Sequence, residues 1–139
     1  MNLPRVVFSK WTRWGDRTRL NGIENPGVYA LARFTKPPRG PAKLRARNII
    51  YFGETCGNSL RGRWRAFHRS AFEGKFAHSG GKTYRRLFGG KAMRRLCVAA
   101  FPVDGLTEEL RSLFIRYVER KVILEYASKW GIAPKCNRK

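Results

Sequence analysis

Residues 117–126 read YVERKVILEY, with a carboxylate in an awkward place. Wound as a helix at 100° per residue, Glu119 has Ile115, Val122, Ile123 and Tyr126 at i−4, i+3, i+4 and i+7. On such an apolar stripe an unpaired charge costs several kcal/mol. Arg116 at i−3 could supply a pair at the stripe's edge. A hard divalent cation accounts for the placement better, because Mg²⁺ (or Mn²⁺) takes one or two protein carboxylates and keeps water and phosphate oxygens for its other positions. The chain has nine acidic residues in all, too few to favour a two-metal site. Glu125 differs: Lys121 at i−4 and Lys129 at i+4 explain it as a surface pair.

The other candidates are basic or aromatic. Between 61 and 95 stand eleven Lys or Arg, opposed only by Glu73. That density suggests a surface that tracks phosphates, with Arg61, Arg65, Lys82, Arg85 and Arg86 as backbone contacts. Arg63 flanks an apolar stripe that would hold its stem and aim its guanidinium. Arg65 and Arg69 point away from that stripe. His68 sits on the opposite flank from Arg63, near Arg61. A histidine on an exposed helix face is more often incidental than catalytic, and His78 has still less to mark it. Tyr29 and Tyr51 fall in strand-like runs, where aromatics mostly pack. Gly53 marks either a strand end or a close backbone approach to a ligand.

The elements that must position these groups follow from pattern. GVYALARF (27–34) and NIIYFGE (48–54) read as two strands of an antiparallel hairpin. Between them TKPPRGPAKLRAR (35–47) is Pro-rich and basic, a solvated loop. Asn58 or Ser59 caps a helix on which Leu60, Trp64, Phe67 and Ala71 align. The span 82–96 is helical in part, interrupted at Gly89-Gly90. LCVAAFPV (96–103) is a third strand. Thr107 caps a final helix near 108–129, with Glu108 and Glu109 at its positive end and Gly131 and Pro134 beyond it. The order β, β, α, α, β, α predicts an α+β fold, a small mixed sheet flanked by helices. Residues 1–24 are expected to be an extension packed on a core formed by 25–139.

Length and composition set the class. At 139 residues and 42% apolar content the chain makes one folded domain rather than a disordered tail. Thirty Lys and Arg against nine acids give +21, a field that repels itself unless an anionic partner is near. Phosphodiester backbone is the leading candidate, whether for an enzyme or for a non-catalytic module that binds DNA or RNA. Cys56, Cys97 and Cys136 are far apart and odd in number, and no CxxC occurs, so neither a disulfide framework nor a zinc site is supported. A reduced, cytoplasmic setting fits. The first residues lack the apolar run of a signal peptide, and no run of apolar residues is long enough to span a bilayer, so no membrane partner is expected.

Taken in order, Gly27-Val28-Tyr29, Tyr51-Phe52-Gly53, an arginine on the next helix, Glu119 and Asn137 resemble the GIY-YIG nuclease superfamily. The ending is the most specific part: ERKVILEY followed by PKCN (134–137) is similar to the Glu-x-x-x-Ile-x-x-Tyr and Pro-x-x-Asn ending of the excision-repair nuclease's incision domain. Arg63-Trp64 is similar to the Arg-Trp of homing-endonuclease domains. The likeness covers about residues 25–138. It implies a phosphodiesterase acting on DNA, duplex or branched, with one Mg²⁺ or Mn²⁺ on Glu119. It further implies Tyr29 as base for the attacking water, Tyr51 as orienter of water or phosphate, Arg63 as stabiliser of transition-state charge, and Asn137 as a shaping residue. The basic loop makes the separation of Tyr29 and Tyr51 longer than the family's compact hairpin. Arg61 remains a rival for the arginine's place. The family often carries His or Tyr four residues after its arginine; Phe67 stands there, and His68, one later, is the candidate for that role.

Overall fold

Four strands, β1 (Thr12–Arg13), β2 (Gly27–Arg33), β3 (Ile49–Thr55) and β4 (Leu96–Pro102), make one antiparallel sheet in the order β1-β4-β2-β3. Three helices accompany it: α1 (Leu60–Phe72), α2 (Ser79–Phe88) and α3 (Glu108–Trp130). Short 3-10 segments cover Trp14–Arg19 and Lys135–Asn137. This computed structural model describes residues 2–91 and 93–138. The class is α+β, as the pattern of elements predicts.

Strand alternation splits the apolar residues between two faces. Val28, Ala30 and Ala32 of β2 and Cys97, Ala99 and Phe101 of β4 share a cluster with Ile115, Val118 and Val122 of α3. Tyr29 and Leu31, with Leu96, Val98 and Ala100, meet Leu60, Trp64 and Phe67 of α1 and Tyr84 of α2 on the other face. The sheet is therefore sandwiched, which is why β2 reads as an almost continuous apolar run. Each large side chain sealed this way contributes about 1.5–3 kcal/mol.

Local signals set the helix ends. Ser59 caps α1 by accepting a hydrogen bond from Gly62 N–H (3.0 Å), and Thr107 caps α3 by accepting from Leu110 N–H (3.3 Å). The stripe Leu60, Trp64, Phe67, Ala71 is buried as its spacing predicts. The last helix runs to Trp130 and stops at Gly131.

The sheet, expected to be mixed, has only antiparallel pairs among the described residues, and four further features differ from expectation. First, the N-terminal stretch does more than pack: Thr12 and Arg13 pair with Val98 and Cys97, while Phe8, Trp11 and Trp14 are buried. Second, α2 starts at Ser79 rather than 82 and ends at Phe88; residues 90–91 and 93–95 form turns, and Ala92 lies outside the described residues. Gly80 and Gly81, poor helix formers, hide that start from a propensity reading. Third, the loop 35–47 is not wholly solvated. Ala42, Leu44 and Ala46 pack on the α3-side core, and Trp130 Nε1 donates to the Arg45 carbonyl (2.8 Å). Fourth, Glu125 pairs with Arg45 (3.6 Å) from that loop, while Lys121 lies over Tyr117 and Lys129 over Trp130.

Candidate active site

Strands β2 and β3 deliver the two tyrosines. Their register sets Tyr29 opposite Gly53 and Leu31 opposite Tyr51, so the tyrosines are diagonal neighbours on the α1–α2 face. Their ring centroids are 6.0 Å apart. Gly53 makes this possible. A Cβ there would lie 2.5 Å from Tyr29 Cζ, 2.6 Å from its Oη and 2.6 Å from Tyr51 Cε2, closer than atoms can approach. Gly80 presses from α2: a Cβ on it would sit 2.8 Å from Tyr51 Cζ and 3.0 Å from His78 Cε1. Tyr29 is buried and Tyr51 half-buried. The two glycines thus leave room for a pair of phenols and nothing larger.

One donor reaches the Tyr29 oxygen, and a guanidinium lies beside it. His78, the N-cap of α2, has its Nε2 at 2.9 Å from Tyr29 Oη. Its other nitrogen, Nδ1, accepts from Gly81 N–H (3.2 Å) as the capping contact. A neutral imidazole that accepts at Nδ1 carries its proton on Nε2, so His78 donates to Tyr29. Burial and the Arg63 guanidinium push His78 down to about 3, which keeps the ring neutral. The Arg63 guanidinium lies close enough to act on the Tyr29 oxygen electrostatically, and its Nε is buried with no protein acceptor. Burial, foremost, then Tyr51 and Glu119 raise the Tyr29 phenol well above its ordinary value; Arg63 lowers it without prevailing. Tyr51 is likewise pushed up to about 12, mainly by burial. The resting site therefore holds phenols, although the His78 donor and the Arg63 charge beside Tyr29 are what a phenolate would need.

Carboxylates approach from the opposite helix layer. Glu119 is half-buried on α3, beside the buried Ile115, Val122 and Tyr126. Arg116 is exposed and makes no ion pair with it among the described residues. Burial and the nearby Glu54 carboxylate push Glu119 up to about 7, against the pull of Arg120 and Arg63. Glu54 follows Gly53 on β3, and its Oε2 accepts from the Cys56 thiol (3.0 Å). Two carboxylates that repel each other, with no cation in ion-pair contact among the described residues, form a donor set suited to one hard cation. Among the described residues no group of three or more His, Cys, Asp or Glu converges. An ion here would draw the rest of its shell from water and phosphate, as Mg²⁺ does. Glu54 is a site residue that sequence reasoning overlooked. Strand alternation puts it on the α3 face with Phe52, but only the packing of α3 gives that meaning.

Asn137 has a defined and different task. Phe52 N–H donates to its Oδ1 (2.9 Å) and its Nδ2 donates to the Phe52 carbonyl (2.9 Å). The side chain acts as a one-residue strand against β3, between Tyr51 and Gly53, and its amide is thereby occupied.

The remaining candidates sort clearly. Arg61 forms an ion pair with Glu24, which leaves Arg63 as the arginine at the tyrosines. His68 is not brought to the site. Its Nδ1 accepts from Trp14 Nε1 (3.0 Å), its ring stacks on Trp14, and Nε2 faces Glu73 at 3.8 Å. Five residues of helix turn it about 140° away from Arg63, and the histidine at Tyr29 is instead His78, from another element. Arg65, Lys82 and Arg86 are exposed, with Lys82 over the Phe76 ring. Arg85 packs on Gly74 and Gly90 and donates to the Ala71 carbonyl (3.3 Å), so it braces α2 against α1.

No family model matches this chain, and neither a curated protein nor a solved structure is significantly similar to it. Among the described residues no helix is long and apolar enough to cross a membrane.

Proposed function

We propose that this protein is a metal-dependent endonuclease that hydrolyses DNA phosphodiester bonds in the manner of the GIY-YIG superfamily. The observation that carries the proposal is the convergence on Tyr29 Oη. One N–H donor, from His78, reaches a phenol oxygen whose electrostatic neighbours include the Arg63 guanidinium and Glu119. A packing tyrosine has no use for a capped donor on its oxygen with a guanidinium beside it; a tyrosine that must become an anion does.

In this proposal the roles follow from chemistry. The unpaired Arg63 Nε and the rest of its guanidinium bind a phosphate oxygen and stabilise the charge that grows on it during attack. With His78 donating to Oη, the Tyr29 hydrogen is left to point at a water or phosphate oxygen that can accept it. Once that proton has left, the phenolate, held by His78 and Arg63, removes a proton from the attacking water. Tyr51, half-buried beside it, orients water or phosphate. Glu119, with Glu54 near it, would hold one Mg²⁺ or Mn²⁺, whose charge neutralises the phosphate and favours ionisation of the nucleophile. Exposed Arg65, Lys82 and Arg86 would grip the flanking backbone. Asn137 would shape the site through Phe52 rather than by touching substrate.

The test is incubation of supercoiled plasmid, linear duplex, branched DNA and single-stranded RNA with and without Mg²⁺. Metal-dependent nicking of DNA, abolished by Glu119→Ala with binding retained, is the expected result. Binding without cleavage at any enzyme concentration would instead assign a non-catalytic nucleic-acid module.

A further inference from the structure

A second constellation lies at the far end of α3. A cavity of about 380 Å³ opens there, with Arg33, Arg47, Lys135, Arg138, Trp130 and Ile132 in its wall and no Asp or Glu. Its volume is within the range of ligand sites. The four cations come from the end of β2, the basic loop and the C-terminal 3-10 turn, segments far apart in the chain. Among the described residues none of the four belongs to an ion pair, and the nearby Glu125 is taken by Arg45. Arg33 Nε is buried without an acceptor, although its guanidinium lies 4.4 Å from the Phe88 ring. Concentrating four like charges around one hollow, with the Arg33 Nε donor unsatisfied, costs stability unless an anion completes it.

The geometry is preformed rather than adventitious. Arg47 lies over the Trp130 ring (5.2 Å), Trp130 Nε1 holds the Arg45 carbonyl, and Tyr126 Oη donates to the Arg47 carbonyl (3.5 Å). The basic loop is therefore fastened with Arg47 facing the hollow. A guanidinium stacked on an indole offers a flat, cationic surface of the kind on which nucleobases stack.

We propose that this cavity is a nucleoside-phosphate site, with the phosphate among Arg33, Arg47, Lys135 and Arg138 and the base against the Arg47–Trp130 stack. Its occupant is a free nucleotide or a nucleotide within a strand. From Glu119 to Trp130 α3 rises roughly 16 Å, about five nucleotides of duplex along its axis. A strand held here is gripped well away from the reacting phosphate. The strand-bound form rests on the nuclease proposal, but binding can be read without catalysis.

The experiment measures fluorescence anisotropy of a labelled short single-stranded DNA in EDTA, across a salt series. Arg47→Ala with Arg138→Ala is compared with Arg5→Ala with Lys10→Ala, an equal change of charge on exposed residues outside the cavity. The cavity pair should weaken binding about tenfold and lower the log–log salt slope by about one unit, with the control unchanged. dAMP is added as competitor, and its quenching of wild-type fluorescence is compared with that of Trp130→Phe. Displacement of DNA with quenching lost in Trp130→Phe identifies a free nucleotide as occupant; no displacement, with the loss in the cavity pair intact, identifies the strand. If both double variants bind alike and dAMP neither competes nor quenches, the proposal is overturned. Because EDTA removes cleavage, that failure leaves metal-dependent nicking to be judged separately.

Discussion

His78 Nε2 stands 2.9 Å from Tyr29 Oη while its Nδ1 caps helix α2 at Gly81. One imidazole thus joins a helix terminus to the middle of the sheet, and the cap decides which nitrogen faces the phenol. This coupling makes the pH response of the fold predictable.

In the unfolded chain His78 titrates near its ordinary 6.5, whereas in the fold it is held down to about 3. Below 6.5 the unfolded state binds the extra proton, so stability is complete above that pH and falls as the pH drops toward 3. His78→Asn keeps a capping acceptor and removes the titration. Its melting temperature should change less than that of the wild type between pH 7 and 4; parallel curves would refute the assignment.

Glu119 has the opposite sign. Its folded value, about 7, lies above the ordinary 4.5, so ionising it costs the fold stability that is progressively lost as pH rises from 4.5 through 7. Glu119→Gln should therefore abolish cleavage yet raise the melting temperature at pH 8 by about 3 °C. Mg²⁺ should stabilise the wild type and not the variant. A lower melting temperature for Glu119→Gln in metal-free buffer would show the carboxylate to be favourably paired.

Gly53→Ala tests the close approach. The added methyl would overlap both tyrosines, so we expect a loss of about 2–3 kcal/mol and cleavage reduced at least as far as by Tyr29→Phe. Denaturant melts report the first and plasmid nicking the second. Unchanged stability would mean the rings do not lie across that glycine.

Asn137→Ala removes both hydrogen bonds to Phe52 and leaves them for water to satisfy. About 1–3 kcal/mol should be lost. The rate per folded molecule, measured at low temperature where the variant remains native, should fall far less than in Glu119→Ala. An equal collapse would place the amide in contact with substrate.

Much of the framework could be read from residue order. The α1 stripe, the Tyr29 and Tyr51 strands and the isolation of Glu119 all follow from periodicity, because burial imposes it. What escaped notice depends on contacts between distant segments. Arg61 and Arg63 look alike until Glu24 claims the first. His68 looks the better histidine until Trp14 occupies it, and His78 is concealed by the glycines that follow it. Glu54 gains a partner in charge only when α3 settles over β3.

The grip of Asn137 on Phe52 also guards the protein against its own kind. Strand β3 is the last of the sheet, and an open strand with free amides invites pairing with another molecule. By filling the outward-facing groups of Phe52, the tail denies intruders the middle of that strand. Trimming the chain before Asn137 would therefore leave a sticky seam along which copies could assemble into aggregates.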